Sequence, residues 1–216
     1  MQQIQPDLWQ TELENPAPGL TTHAYLLTRK EGNVLFYNTG HAYELDRMAQ
    51  LGGVERQYLS HRDELGDSIN LIRRRFDTHL GGHIAELSDF ARVCRPDILF
   101  EERDMHMGNI EVIPTPGHSP GSTCFYVQSA TGKRYLFTGD TLYLNNGTEW
   151  RAGFIKGISN REDLLASLGV LRQLEPHLVI SSAFSGPAGY QEMDPADWPG
   201  QVDRAVAELA SPCTGQ

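Results

Sequence analysis

Two short stretches of this sequence carry side chains that could do chemistry. The first is Pro-Thr-Pro-Gly-His-Ser-Pro-Gly-Ser-Thr over 114–123, set between two strand candidates. Its prolines and glycines fix the backbone torsions around His118 and leave the imidazole little freedom. A metal site needs such a mount, because ligand geometry must be set tightly. An isolated histidine in a turn reads as a polar surface residue; the density of turn residues here favours a ligand. The second stretch is Tyr-Leu-Phe-Thr-Gly-Asp-Thr-Leu over 135–142, where a strand runs into Gly139 and displays Asp140 at its end. That aspartate is either an ordinary turn or capping residue or a carboxylate ligand to a cation.

Taken together and in this order, the two stretches closely resemble the third metal-ligand histidine and the bridging aspartate of glyoxalase II-like hydrolases of the metallo-β-lactamase superfamily. Upstream, Thr-His-Ala-Tyr-Leu-Leu over 22–27 and Val-Leu-Phe-Tyr-Asn-Thr-Gly over 34–40 resemble the family's early strands, with Asn38 where the family has Asp. The likeness covers about residues 20–190. It implies an α/β fold, a four-layer αββα sandwich of two mixed β-sheets flanked by helices, with the site at one sheet edge.

The resemblance also assigns further ligands, and here the chain departs from the family. The family pattern after a short strand is His-x-His-x-Asp-His; this chain reads Ser-His-Arg-Asp-Glu-Leu-Gly-Asp-Ser over 60–68. His61 matches the first His, Asp63 stands at the second, and Leu65-Gly66 falls on the Asp-His pair. A shift of two residues restores the Asp as Asp67 but not the His. The family's late Gly-His-Gly is replaced by Ile-Ser-Ser-Ala-Phe-Ser-Gly over 180–186, placing Ala183 or Phe184 at the last ligand. The expected metal ligands are therefore His61, Asp63, His118 and Asp140.

That set suffices for one divalent cation, zinc in first place, with manganese or iron favoured by a carboxylate-rich shell. The cation would bring the pKa of its water to around 7, and Asp67 is the candidate catalytic base to take the proton. The expected activity is hydrolysis of a small ester, thioester or lactone. Oxygen chemistry on iron, as in family members acting on glutathione persulfide, is a variant. The alternative from another class is a catalytically impaired fold kept as a binding or regulatory module, since fold does not fix function.

The elements that must position these residues can be read from periodicity. Apolar runs over 4–13, 23–28 and 34–37 are strands separated by Gly- and Pro-rich turns. A helix is expected over 43–51, stopped by Gly52-Gly53, then a strand over 57–60 leading to His61. Ile69, Leu71, Ile72 and Phe76 recur at helical spacing over 67–76, with Arg73 to Arg75 on a solvated face. Strands follow over 110–113, 124–127, 134–137 and 178–181. Ser159, with Glu162 three residues on, has capping-box form and opens a helix to about 174. A last helix covers about 197–209. His79 and His83, on a loop leading into a possible strand, and the isolated His23, His41, His106 and His177 take structural or surface roles. Residues 150–156 could line a substrate entrance, with Arg151 or Lys156 facing a carboxylate.

Composition bounds the rest. A chain of 216 residues, 39% hydrophobic and 21% charged, suits one globular domain spanning 1–216. A formal net charge of −10 argues against nucleic acid or an anionic membrane as partner, leaving a small-molecule substrate. No apolar run reaches the ~20 residues of a membrane span, and no signal peptide is visible at the start. Cys94, Cys124 and Cys213, odd in number and widely spaced, suit a reducing compartment; the expected location is the cytoplasm.

Overall fold

A computed structural model describes residues 1–211; Cys213 lies outside the described residues. Two large mixed sheets dominate. The first has seven strands, in the order Gln2–Gln5, Leu8–Gln10, Tyr25–Leu27, Val34–Phe36, Arg56–Tyr58, His79–His83 and Ile98–Phe100. The second has six, in the order Asp104–His106, Ile110–Pro114, Thr123–Gln128, Arg134–Gly139, Leu178–Ser181 and Tyr190–Glu192. A third sheet, absent from the sequence reading, joins Glu149–Ala152, Leu142–Asn145, Ala183–Phe184, Leu20–Thr22 and Glu14–Ala17. Its strands are two to four residues long, too short to show a period of two.

Strand alternation explains how the large sheets pack. In Thr123–Gln128, Phe125 and Val127 face one core, while Cys124 and Tyr126 face another. Tyr135 and Phe137 alternate with Leu136 in the same way, as do Leu178 and Ile180 with Val179. A strand buried on both faces reads as a continuous apolar run, which is how these segments appear in the sequence. The core shared by the two sheets is aromatic: Phe36 stacks on Phe137 at 4.0 Å between centroids, and Phe125, Tyr58 and Phe100 pack around them. On the far face of the first sheet, Leu26 and Leu35 meet Leu45, Met48 and Ile72 from the helices Glu44–Gln50 and Ser68–Phe76. On the far face of the second, the helices Arg161–Leu171 and Trp198–Ala210 bury Leu164, Leu168, Trp198 and Val202.

Two local outcomes differ from the reading of the sequence. The helix expected from Ser159 starts at Arg161 and ends at Leu171, with Asn160 as its N-cap accepting from the amides of Glu162 and Asp163. Ser159 is occupied elsewhere: its hydroxyl accepts from Ile155 and donates to the carbonyl of His118. The His79–His83 segment is a five-residue strand rather than a loop. Gly81 and Gly82 lie flat against Phe100 and Phe90, where any Cβ would collide with the rings. Arg73 and Arg75 do point outward, bonded to Asp97 and Asp46 at 2.6 Å each.

Parallel pairing places the loops that matter. Val34–Phe36, Arg56–Tyr58 and His79–His83 run parallel, as do Arg134–Gly139 and Leu178–Ser181. Each parallel pair needs a crossover, and in open α/β sheets ligands gather beyond the carboxyl ends of such strands. Tyr37 ties these ends together. It sits at φ 67°, costly for a bulky residue. Its buried hydroxyl donates to the carbonyl of Ile180 at 3.1 Å and accepts from the amide of Gly139 at 3.0 Å. That bridge fixes the strand end that carries Asp140.

Candidate metal centre

His61, Asp63, His118 and Asp140 all follow carboxyl ends of strands, and the fold brings them to one point. Ligating atoms of His61, Asp63 and His118 lie within 4.8 Å of one another. Oδ2 of Asp140 is 3.5 Å from Nε2 of His61 and 3.8 Å from Nε2 of His118. Oδ2 of Asp63 is 3.8 Å and 3.9 Å from the same two nitrogens. The imidazoles are perpendicular, 4.9 Å apart between centroids.

Both imidazoles are held by the nitrogen that faces away from this point. Nδ1 of His118 donates to the carbonyl of Gly153 at 2.7 Å. Ser60 Oγ donates to Glu64 in a short hydrogen bond, which leaves it to accept from Nδ1 of His61 at 2.9 Å. With the proton on Nδ1 in both rings, each Nε2 presents a lone pair, the arrangement of a metal-bound histidine. Nε2 of His61 is buried and has no hydrogen-bond partner. An orphaned buried polar atom costs about 1–3 kcal/mol, and a divalent cation between Nε2 and the carboxylates would remove that cost. The residues present therefore fit a cation.

The charges agree. Burial opposes a charged His61 imidazole, yet Asp140 and Glu64 override it and raise its pKa well above the usual histidine range. Burial likewise opposes the Asp140 carboxylate, and the two histidines reverse this, bringing its pKa down to about 2. The contact with His118, working against burial, lowers Asp63 as well. A field that favours a proton on His61 favours a cation in its place.

Several groups that act here were not legible beforehand. Glu64 is buried behind His61, accepting from the amide of Ser60 at 2.8 Å as well as from its hydroxyl. The only sequence signal was a carboxylate four residues after a serine. Glu86 carried no signal at all. It is buried, and accepts from the amides of Arg62 at 2.7 Å and Gly121 at 3.2 Å, so one carboxylate fastens both histidine loops. Asn38 donates to the carbonyl of Glu64 at 3.0 Å and accepts from Ser68 Oγ at 3.0 Å, bracing the loop between them.

The remaining expected residues separate. Asp67 lies outside the cluster; it is exposed at the start of the Ser68–Phe76 helix, makes no capping bond, and lines a cleft with His61 and Asp63. At the expected last ligand, the amide of Ala183 donates to Oδ1 of Asp140 at 3.1 Å. Ala152, Gly153, Phe154 and Ile155 line a second cleft beside His118 and Asp140, but Arg151 turns away to Glu149 and Glu208. Lys156 lines neither cleft. His83 accepts from the amide of Ala85, His177 from that of Arg134, and His106 pairs with Tyr58; none joins the cluster.

Comparison with known proteins places this geometry. A family model described as the metallo-beta-lactamase superfamily matches residues 38–183. A search of curated proteins found no match. Among solved structures, the chain is similar to a metallo-beta-lactamase from Pontibacter korlensis, with TM-score 0.74 and 15% identity over 98% of each chain. It is also similar to ETHE1 from Myxococcus xanthus, with TM-score 0.63 and 21% identity over 93% of this chain and 84% of that one. A Cronobacter sakazakii metallo-beta-lactamase described by its HARLDQ motif gives 0.62 and 17%, over 92% and 97%. At these identities the likeness is one of fold. No helix among the described residues is long and apolar enough to cross a membrane.

Proposed function

Since the chain belongs to the metallo-β-lactamase superfamily, we propose that it is a metal-dependent hydrolase of a small ester, thioester or lactone. The fold would be the four-layer αββα sandwich, with one divalent cation held by His61, Asp63, His118 and Asp140. The observation that carries this reading is the orphaned Nε2 of His61 facing a second histidine and two carboxylates. Zinc comes first, and the carboxylate share of the site keeps manganese and iron in play. A bound cation supplies an activated water with a pKa around 7. Ser60 and Gly153 keep both imidazoles in the tautomer that offers Nε2. Asp67, solvent-exposed on the same cleft, takes the proton. The amide of Ala183 engages Oδ1 of Asp140 and leaves Oδ2 toward the imidazoles, which supports a single cation over a bridged pair. The acidic chain acts on a small molecule in the cytoplasm, without nucleic acid or membrane.

Ala183 in the place of a ligand also favours a second reading, a binding or regulatory module without turnover. Elemental analysis of protein purified without chelator, beside the His118→Ala variant, separates the two. About one cation per chain, lost in the variant together with hydrolysis of p-nitrophenyl acetate, supports the hydrolase. Metal-free protein in both preparations overturns it in favour of the module.

A further inference from the structure

Two clefts meet at the cluster, and their chemistry differs. One, of about 420 Å³, runs from His118 and Asp140 past Tyr143, Phe154, Ile155 and Phe184, mostly apolar side chains, with Leu20 at its rim. The other, of about 460 Å³, holds His61 and Leu71 together with the carboxylates of Glu14, Asp63, Glu64, Asp67 and Asp140. Leu20, Asp140 and Ala183 line both, so the two are one continuous space around the metal centre. Neither has a lysine or arginine among its described lining residues. Beside the acidic cleft, Arg62 is shared between Asp89 at 3.7 Å and Asp63 at 4.0 Å. A divalent cation balances two of the five carboxylates, and with Arg62 divided between Asp63 and Asp89 the wall keeps a net negative charge. The unpartnered Nε2 of His61, buried within this acidic wall, marks the wall as part of a ligand site.

Resting on the hydrolase reading, we propose that the substrate is an uncharged ester or thioester of an apolar acid. The acyl group lies in the Tyr143–Phe154–Phe184 cleft, and acyl groups ending in a carboxylate are rejected. Two physical effects act in the same direction. A cleft walled by Phe154, Ile155 and Phe184, whose polar side chains Tyr143, Asn145 and Ser185 are all neutral and two of which are bonded to each other, replaces the hydration of a carboxylate poorly. The surplus negative charge repels it, more strongly at low salt. A guanidinium or ammonium is the usual partner for a substrate carboxylate; of the two guanidiniums beside this cleft, Arg151 is turned away to Glu149 and Glu208, and Arg161 lies over the Phe154 ring at 4.9 Å and donates to the carbonyl of Leu209, so neither lines it.

The test uses the metal-loaded full chain and three p-nitrophenyl esters of similar length: pentanoate, the glutarate half-ester with a free carboxylate, and its uncharged monoamide. At low ionic strength kcat/KM for the half-ester is expected to fall at least about tenfold below the pentanoate, equivalent to about 1.4 kcal/mol. The monoamide stays nearer the pentanoate, and about 0.5 M salt narrows the charge-dependent gap. Leu71→Lys, which adds a cation at an exposed position on the acidic wall, should raise the half-ester selectively. Equal or better turnover of the half-ester overturns the proposal. Calorimetric binding of the same esters decides the case in which none is hydrolysed. Tighter binding of the uncharged pair then upholds the charge selection while the hydrolase reading falls, and equal or absent binding overturns both.

Discussion

Gly153 is the residue on which the geometry of the centre can be tested most sharply. Its carbonyl holds Nδ1 of His118 at 2.7 Å, and its amide donates to the carbonyl of Thr141 at 3.2 Å. It is thus wedged between the loops that bear His118 and Asp140. A Cβ there would run into the backbone carbonyl oxygen of Asp140, lie 2.9 Å from that residue's carbonyl carbon and 3.1 Å from Nδ1 of His118. Backbone cannot swing aside as a long side chain can, and close-packed interiors pass such strain on. Gly153→Ala must therefore push the 152–154 segment away from Asp140 by on the order of 1 Å, which breaks the bond to His118. The lost hydrogen bond is worth about 0.5–1.5 kcal/mol of stability. Loss of a bond that orients a metal-bound histidine lowers metal affinity roughly 10–100-fold, or about 1.4–2.8 kcal/mol of binding. Competition for zinc with a chromophoric chelator reads the affinity, and thermal unfolding of the metal-free protein shows whether the fold survives. A folded Gly153→Ala variant that binds zinc within about twofold of the parent would refute the assignment of Gly153 as the brace of His118.

Asp67→Asn should keep the metal stoichiometry and lower kcat by about 10²–10⁴-fold; unchanged kcat removes Asp67 from the mechanism. Gly169, exposed in the Arg161–Leu171 helix with nothing within 4 Å of where a Cβ would sit, should accept Ala with a gain of about 0.5–1 kcal/mol in urea unfolding, and a loss would contradict the open space seen around it. Burial pushes the Cys124 thiol up to about 12, whereas an unfolded thiol titrates near 8.5. The native state then holds a proton the unfolded chain has lost, so stability is full below about pH 8.5 and falls as pH rises toward 12, by up to about 1.4 kcal/mol per pH unit. Cys124→Ala should flatten this alkaline slope in denaturant titrations between pH 8 and 11, and an identical slope would show that Cys124 does not contribute.

The legibility of this chain followed the length scale of its interactions. Strands buried on both faces, such as Thr123–Gln128 and Leu178–Ser181, announced themselves as apolar runs, because each residue meets one core or the other. The helix carrying Ile69 and Ile72 showed its buried stripe. His118 and Asp140 were visible because turn chemistry and strand ends are local. What stayed hidden was non-local or a matter of competition. Glu86 reaches Arg62 and Gly121 across 24 and 35 residues of chain, and no window of sequence contains that relation. The cap of the Arg161–Leu171 helix went to Asn160 because Ser159 had a better use, tying the carbonyl of His118 to the loop at Ile155. The His79–His83 strand was read only as a loop leading into a possible strand for a related reason: two glycines weaken strand propensity, and the rings of Phe90 and Phe100 explain them.

The departures at Leu65, Gly66 and Ala183 form one pattern. All three line the acidic cleft beside His61, so the positions at which the resembled family carries further ligands have become cleft wall. The amide of Ala183 donates to Oδ1 of Asp140 where the resembled family would place another ligand side chain. On the proposed single-cation reading, such a centre would gain room next to the cation and give up a second positive charge. In two-metal hydrolysis that second charge stabilises the departing oxygen. Without it, the leaving group must carry its own developing charge, which thiolates and acidic alcohols do readily and ordinary alkoxides and amines do not. On the proposed hydrolase reading, a single cation in this cleft would therefore favour thioesters, activated esters and strained lactones, whose leaving groups need the least help.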